Sequence, residues 1–468
     1  MEDWMSAECS TAESIFGKTQ LGDQRRTARL VRTFDQLQRH PGGTLPDKFA
    51  SPADLRAFYR LCDTDGVTHS VIVQALREWT LRRIAECDGE VLVVQDDTEL
   101  DYSSLSSLAG DLGQIGRGNG RGYICHNVLA VAAETGEVLG LLDQILHHRV
   151  RTPRNETLPQ RRERDTRESL LWLKGTSELP GDRKLVTVCD RGADTFEHLE
   201  HEFKSGRRFV VRACKVRKVF AGHEQNGERC YLKQCAAELP QLDRLTMDIQ
   251  KQRGRKARKD AEFIIRGGPI LMCPPHAKHG RHGDDPLPLF VVQVTEVDPP
   301  AGEKPVSWTL LTNESVTTKE DADRIIAWYR KRWVVEEFHK AKKTGCRIED
   351  MQFTTTDRLE PAIALLSMVA ITLLNLRDAS RRDDAKTRLA NTLLSEDYVT
   401  VLSQWRHGRS RPMMTVREFS RAFARLGGHQ NRKSDHAPGW LVLWSGWQKL
   451  EQRLAGFDAA KTKRCGKT

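Results

Sequence analysis

The sequence predicts an α/β protein whose mixed sheet gathers acidic residues at the ends of buried strands, and three observations lead there. Two short apolar runs, 90–97 (EVLVVQDD) and 184–194 (KLVTVCDRGAD), read as buried strands; the first ends in Asp96 and Asp97 and the second on Asp190. Between them, 123–133 and 138–146, joined at ETGE, read as the two strands of a hairpin. Far downstream, 329–343 (YRKRWVVEEFHKAKK) has helical spacing. There Tyr329, Arg332, Glu336, His339 and Lys343 fall three or four apart on one face, and Ala327, Val334, Phe338 and Ala341 on the other.

Length and composition bound what surrounds these elements. At 468 residues the chain exceeds one ordinary core, so two or three domains are expected. Hydrophobic content of 38% with 29% charged residues describes a globular protein and excludes a fibre or extended disorder. A net charge of +10 favours polyanionic partners. The eleven cysteines are scattered and include no CxxC pair, which argues against a disulfide framework or a zinc ribbon. No cationic start with an apolar run marks a signal peptide. The longest apolar stretch, 362–376, is read as too short to span a bilayer and is interrupted by Ser367, Thr372 and Asn375. A cytoplasmic, reduced protein with no membrane partner is the expectation.

Taken in order, the first seventy residues read as helical. Leu21, Arg25, Arg26, Arg29 and Arg32 lie along a short basic helix with Asp23 as its cap, and SPADLRAFYRLCD gives a second helix. Such a face suits phosphate contacts and equally a solvated surface. A helix is expected at 167–175, and a further strand at 207–218 (RRFVVRACKVRK). From 215 to 304 the chain is strand-like and irregular; 250–260 (QKQRGRKARKD) reads as a hairpin tip. Cys273, His276, His279 and His282 match no standard zinc spacing and sit in a Pro/Gly-rich loop. A buried helix at 362–376 precedes a polar helical stretch. The tail then carries Trp440, Trp444 and Trp447 at spacings of four and three, a stripe that fits a core or an oligomer interface.

Strand ends are where sites assemble in such sheets. Asp96, Asp190 and Glu336 together form a hard-oxygen donor set suited to Mg²⁺ or Mn²⁺, and a pair of such ions serves phosphoryl transfer.

The constellation Tyr329-x2-Arg332-x3-Glu336-x6-Lys343 matches the YREK signature of bacterial cut-and-paste transposases of the insertion-sequence-four family. QDDTELDY and VCDRGAD resemble that family's two aspartate motifs. LGDQRRTARLV, RGY, RFVVR, RWVVEEFHKAKKTG and ARLGG extend the likeness nearly end to end. The resemblance implies an RNase H-like catalytic core, a mixed sheet flanked by helices, over residues 71–377 with a β-rich insertion at about 213–305. A helical domain at 1–70 would read transposon ends, and a helical domain at 378–468 would mediate dimerisation. Asp96, Asp190 and Glu336 would be the catalytic metal ligands, holding two Mg²⁺ ions with Mn²⁺ as substitute, and Asp97 stands where the family has Thr.

The same likeness assigns DNA contacts. Tyr329, Arg332 and Lys343 would hold phosphates beside the cleaved end, Trp308 would stack a flipped base, and Trp333 would wedge nearby. Arg25, Arg26 and Arg29 would read the end, with Arg212 and Arg217 on a DNA-facing strand. Lys342 replaces an aromatic of the family. The implied activity is nicking by water, hairpin formation and opening, and attack of the freed 3′-hydroxyl on target DNA. A homodimer would synapse two ends on the bacterial nucleoid. A metal-dependent nuclease or resolvase on the same fold, and a DNA-binding regulator without catalysis, are the alternatives.

Overall fold

Residues 11–40, 43–49, 51–225, 228–249, 256–275, 282–380, 382–392, 394, 396–432 and 438–465 are described by a computed structural model. The first helices begin where side-chain caps put them. Helix α1 (Gln24–Arg39) starts on Asp23, whose carboxylate accepts the Arg25 amide at 2.8 Å. Helix α2 (Pro52–Cys62) starts on Ser51, whose hydroxyl accepts the Asp54 amide at 3.2 Å. Leu30, Phe34 and Leu37 bury one face of α1, and Arg25 and Arg26 stay exposed on the other. A helix absent from the sequence reading follows, α3 (His69–Glu86).

Strand β1 (Val91–Asp101) pairs antiparallel with β2 (Arg121–Ala132), which pairs antiparallel with β3 (Val138–His147), the expected hairpin. After α4 (Leu171–Ser177), strand β4 (Leu185–Cys189) lies parallel to β1 on its other side. Helix α5 (Phe196–Lys204) then leads to β5 (Arg208–Arg212), parallel to β4. The order β3-β2-β1-β4-β5 has an antiparallel half and a parallel half, as expected of an RNase H-like core.

The insertion does not form a lobe of its own; it lengthens this sheet. Strands β6 (Lys218–Ala221), β7 (Gln241–Ile249), β8 (Arg258–Met272) and β9 (Leu287–Glu296) precede β10 (Ser307–Thr312), which returns to pair with β5 through Leu310 and Arg212. The order continues β5-β10-β9-β8, with β6 and β7 both on the outer edge of β8; two two-residue strands complete a twelve-stranded sheet. Residues 250–255 of the basic run, and His276 and His279, lie outside the described residues. His282 packs edge-on to Phe196 at 5.3 Å.

Helices α6 (Lys319–Lys331) and α7 (Val334–Lys340) cross the sheet before α8 (Thr356–Ala379). This last helix is longer than the apolar run in the sequence. By length and composition it could cross a membrane, which corrects the expectation of a run too short to span; here 89% of its most apolar window is buried inside the chain. It is apolar all round because protein surrounds it. Its neighbours include the N-terminal helices, so residues from α1, α2, the sheet and α8 share one continuous core. A second core joins α9 (Glu396–His407), α10 (Val416–Leu426) and α11 (Trp440–Cys465) through Leu402, Phe419, Phe423 and Trp447. Trp444 and Trp447 are thus core residues of their own chain, Trp447 Nε1 donating to the Arg39 carbonyl at 3.2 Å. The Trp440 side chain lies outside the described residues.

Candidate active site

Strand register brings the first two acids together. The parallel ladder between β1 and β4 ends at Gln95 and Cys189, so Asp96 and Asp190 are the next residue on each strand and stand level across the gap where the strands part. Asp96 lies mid-strand rather than at a strand end, because β1 continues to Asp101 along β2 alone. Asp190 caps a short 3₁₀ turn and accepts the Gly192 amide at 2.7 Å. A Cβ on Gly192 would stand 2.3 Å from the Trp172 ring, so glycine is required for this close approach.

Period-two alternation sends the paired aspartates to opposite faces. Asp97 meets His126 Nδ1 at 2.7 Å, and His126 Nε2 lies 3.0 Å from Gln95 Oε1. Asp96 instead faces α7. Its Oδ2 accepts Arg332 Nη1 at 2.7 Å, and Arg332 Nη2 lies 3.6 Å from Glu336 Oε1. One guanidinium therefore links the first and third acids, with side-chain exposures of 14% for Asp96, 11% for Arg332 and 36% for Glu336. Burial, then the charge of Asp190, pushes the Asp96 carboxyl up to about 7 despite Arg332. Such a carboxylate lacks enough positive charge around it.

The helix that delivers Glu336 departs from the expected single cylinder. Arg332 and Trp333 interrupt it, and residues Ala341–Gly345 wind as a π-turn. The break rotates the faces: Ala327 is exposed rather than seated, Val334 is half-buried, Tyr329 and His339 are buried, and Trp328 and Val335 fill the core. His339 is pinned by Asn127, the neighbour of Asp96 on β2, through a 3.2 Å Asn127 Nδ2–His339 Nε2 contact. Lys342, buried completely, donates to Asn127 Oδ1 at 3.0 Å and to Cys125 Sγ at 3.2 Å. Burial lowers its ammonium pKa, and burial with Lys342 and Lys343 nearby holds the His339 imidazole well below its usual range. Gln144 Nε2 completes the layer by donating to Asn127 Oδ1 and Ser367 Oγ. The sequence offered Lys342 only as a departure; nothing in its spacing revealed this buried polar layer.

The other expected residues divide. Trp308, half-buried on β10, meets the buried Tyr329 ring at 5.7 Å. Trp333 is 56% exposed, with Lys340 Nζ over its ring. Lys343 pairs with Glu349 at 3.0 Å. Arg212 donates to the Ser307 carbonyl at 3.2 Å, next to Trp308. Arg29 approaches Asp54 at 3.7 Å, and Arg25 pairs with Asp23. Arg217 is turned inward: its side chain is 8% exposed and donates Nε–H to Asp194 Oδ1 at 3.0 Å, tying the Asp190 turn to the strand leading out of β5.

A family model for a transposase DNA-binding domain matches residues 1–67, and one for a transposase DDE domain matches residues 120–373, more than half of the chain. The chain belongs to the DDE transposases. Asp190 and Glu336 fall inside the matched segment of this transposase, and Asp96 precedes it. A transposase of this family processes DNA, so its partner is DNA and the cationic balance of the chain has its explanation.

Among the described residues, no three His, Cys, Asp or Glu side chains stand ready as a metal cage. The donor set nonetheless fits a hard divalent cation: its donor atoms are all carboxylate oxygens, and burial together with the charge of Asp190 raises the Asp96 carboxyl, a shift that a cation held there would oppose. Arg332, at 2.7 Å from Asp96 Oδ2, opposes part of it in this structure.

Proposed function

We propose that this DDE transposase is a cut-and-paste enzyme of the insertion-sequence-four type, similar to the transposase of transposon five. The observation that carries this reading is the convergence of Asp96, Asp190 and the Glu336 helix at the place where the β1–β4 ladder opens, with Arg332 between them. Asp96, Asp190 and Glu336 would hold two Mg²⁺ ions, or Mn²⁺. When bound, such ions activate the attacking oxygen and stabilise the leaving one.

The chain's own residues supply position. Arg332 and Lys343 neutralise phosphates next to the reacting strand, and Tyr329 orients them. Trp308, braced by Tyr329, offers its free ring face to an extruded base, while exposed Trp333 wedges the duplex. Arg212 steadies the strand beneath Trp308. Arg25, Arg26 and Arg29 contact the transposon end from the N-terminal region. Arg217 acts through Asp194 on the Asp190 turn rather than on DNA. Asp97 is held by His126 and serves the scaffold. The sequence of reactions is nicking, hairpin formation, hairpin opening and strand transfer, all in-line at one site. Residues 1–70, 71–377 with the insertion at 213–305, and 378–468 act as end-binding, catalytic and dimerising regions, and two copies pair two ends.

The test is supercoiled DNA carrying the element's own ends, incubated with and without Mg²⁺ beside Glu336→Gln. Metal-dependent nicks and hairpins that vanish in the variant, with DNA binding retained, are the expected result. Cleavage without hairpins moves the assignment to a nuclease. Equal cleavage by variant and parent removes Glu336 from the site.

A further inference from the structure

Seven arginines and four acids crowd residues 149–169, the connection between β3 and α4, in which a short helix (Leu158–Glu163) carries Arg161 and Arg162. They wall a cleft of about 730 Å³. Three of the arginines are spoken for: Arg149 forks onto Glu168 at 2.6 and 3.0 Å, Arg167 meets Glu197 at 2.7 Å, and Arg164 lies 3.5 Å from Glu156. Arg154, Arg161 and Arg162 line the same cleft and make no ion pair within 4 Å among the described residues. The Nε–H groups of Arg164 and Arg167 are buried without an acceptor, although both residues line the cleft. A buried donor left unmatched calls for a ligand oxygen.

Topology sets this cleft beside the acids. β3 ends at His147, level with Ile124 on β2, and Ile124 is level with Glu99 on β1, three residues past Asp96. Arg149 lies 3.9 Å from Glu99. The far end of the loop enters α4, whose Trp172 ring packs on Gly192 beside Asp190. The cleft therefore opens on the Asp97 face of the sheet, whereas Arg332 and Glu336 approach from the Asp96 face.

We propose that this cleft holds the backbone phosphates of the receiving duplex, the target DNA; the assignment rests on the transposase reading above. In-line transfer puts the attacking and leaving oxygens on opposite sides of phosphorus, so the two DNA segments reach the acids from different directions. Of the groups proposed for the transposon end, Arg332 stands on the Asp96 face beside Glu336. The arginine cleft is a cationic surface on the other face, and guanidinium forks match phosphate oxygens in pairs.

Full-length R154A/R161A/R162A is compared with the parent in EDTA on two labelled probes, a 40-base-pair duplex of arbitrary sequence and a duplex of the element's own end. Loss of three phosphate contacts lowers the slope of log affinity against log salt on the arbitrary duplex by roughly 2 to 3. At least a tenfold weakening is expected there, with the end duplex held within about twofold and R154K/R161K/R162K restoring most of the binding. Equal weakening on both probes places the cleft on the transposon end and overturns the target assignment. An unchanged slope on the arbitrary duplex removes DNA from the cleft altogether. Both measurements precede chemistry, so they stand apart from the Glu336→Gln cleavage result, which alone decides the role of the acids.

Discussion

Replacing Asp96 by Asn should stabilise the metal-free protein, and chiefly at neutral to alkaline pH. The folded carboxyl is raised to about 7 from an ordinary 3.8. Below pH ~4 the group is protonated whether the chain is folded or not, and it contributes nothing to the balance. Between about 4 and 7 the unfolded chain releases its proton first, so folded stability falls as pH rises. Above 7 the full penalty is present. Roughly three pH units at about 1.36 kcal/mol each give an upper figure of about 4 kcal/mol. The contact with Arg332 already acts in the raised value, so this figure stands as the upper bound on the variant's gain at pH 8. Urea unfolding in EDTA at pH 4.5 and pH 8 measures it. The variant should exceed the parent at pH 8 by far more than at pH 4.5, where only about 1 kcal/mol of the penalty is present, and added Mg²⁺ should stabilise the parent while leaving the variant unchanged. An equal gain at both pH values assigns the effect to packing and refutes the electrostatic argument; no gain at pH 8 refutes the crowding of charge at the site.

Three further changes probe the scaffold. Arg207→Ala strands Glu202, a fully buried carboxylate that accepts from Arg207 Nε at 3.2 Å and from Thr187 Oγ1 at 2.6 Å; a loss of about 3 to 5 kcal/mol in urea unfolding is expected. Gly192→Ala forces the buried Trp172 ring and the Asp190 turn apart, so the unfolding midpoint should fall and DNA cleavage, measured where the variant is still folded, should drop at least tenfold. Asp23→Ala removes the α1 cap and should cost about 1 kcal/mol, read in the same unfolding experiment.

Much of this architecture was legible from side-chain pattern alone. Continuous apolar runs marked β1 and β4, two strand-like runs joined at ETGE marked the β2–β3 hairpin, and the acids stood out because charge at the end of a buried strand is costly. Cross-strand register was not legible. That Asp96 sits mid-strand, level with Asp190, follows from where the β4 ladder stops, and no local pattern encodes a partner ninety residues away. The break at Arg332–Trp333 was hidden for a related reason: every residue from Tyr329 to Lys343 tolerates a helix, and the interruption is imposed by packing of Trp328 on one side and Val335 on the other. Helix α3 escaped notice because β3 and α8 both pack against it, which blurs the one-sided stripe a surface helix shows. The arginine cleft had a signal, seven arginines in twenty-one residues, but no periodicity to attach it to an element.

The wide spacing of the acids along the chain has a consequence in time. At about 5 to 20 residues per second on the ribosome, the 146 residues from Asp190 to Glu336 take roughly 7 to 30 s to emerge. Within that interval, from Arg212 until Ser307–Thr312 has emerged, β5 lacks its partner β10, so the sheet stands open along an edge that only the returning strand can close. The segment matched to a transposase DNA-binding domain, 1–67, precedes all three acids along the chain. On the proposed assignment of those acids, a growing chain can thus meet DNA well before the third of them has emerged.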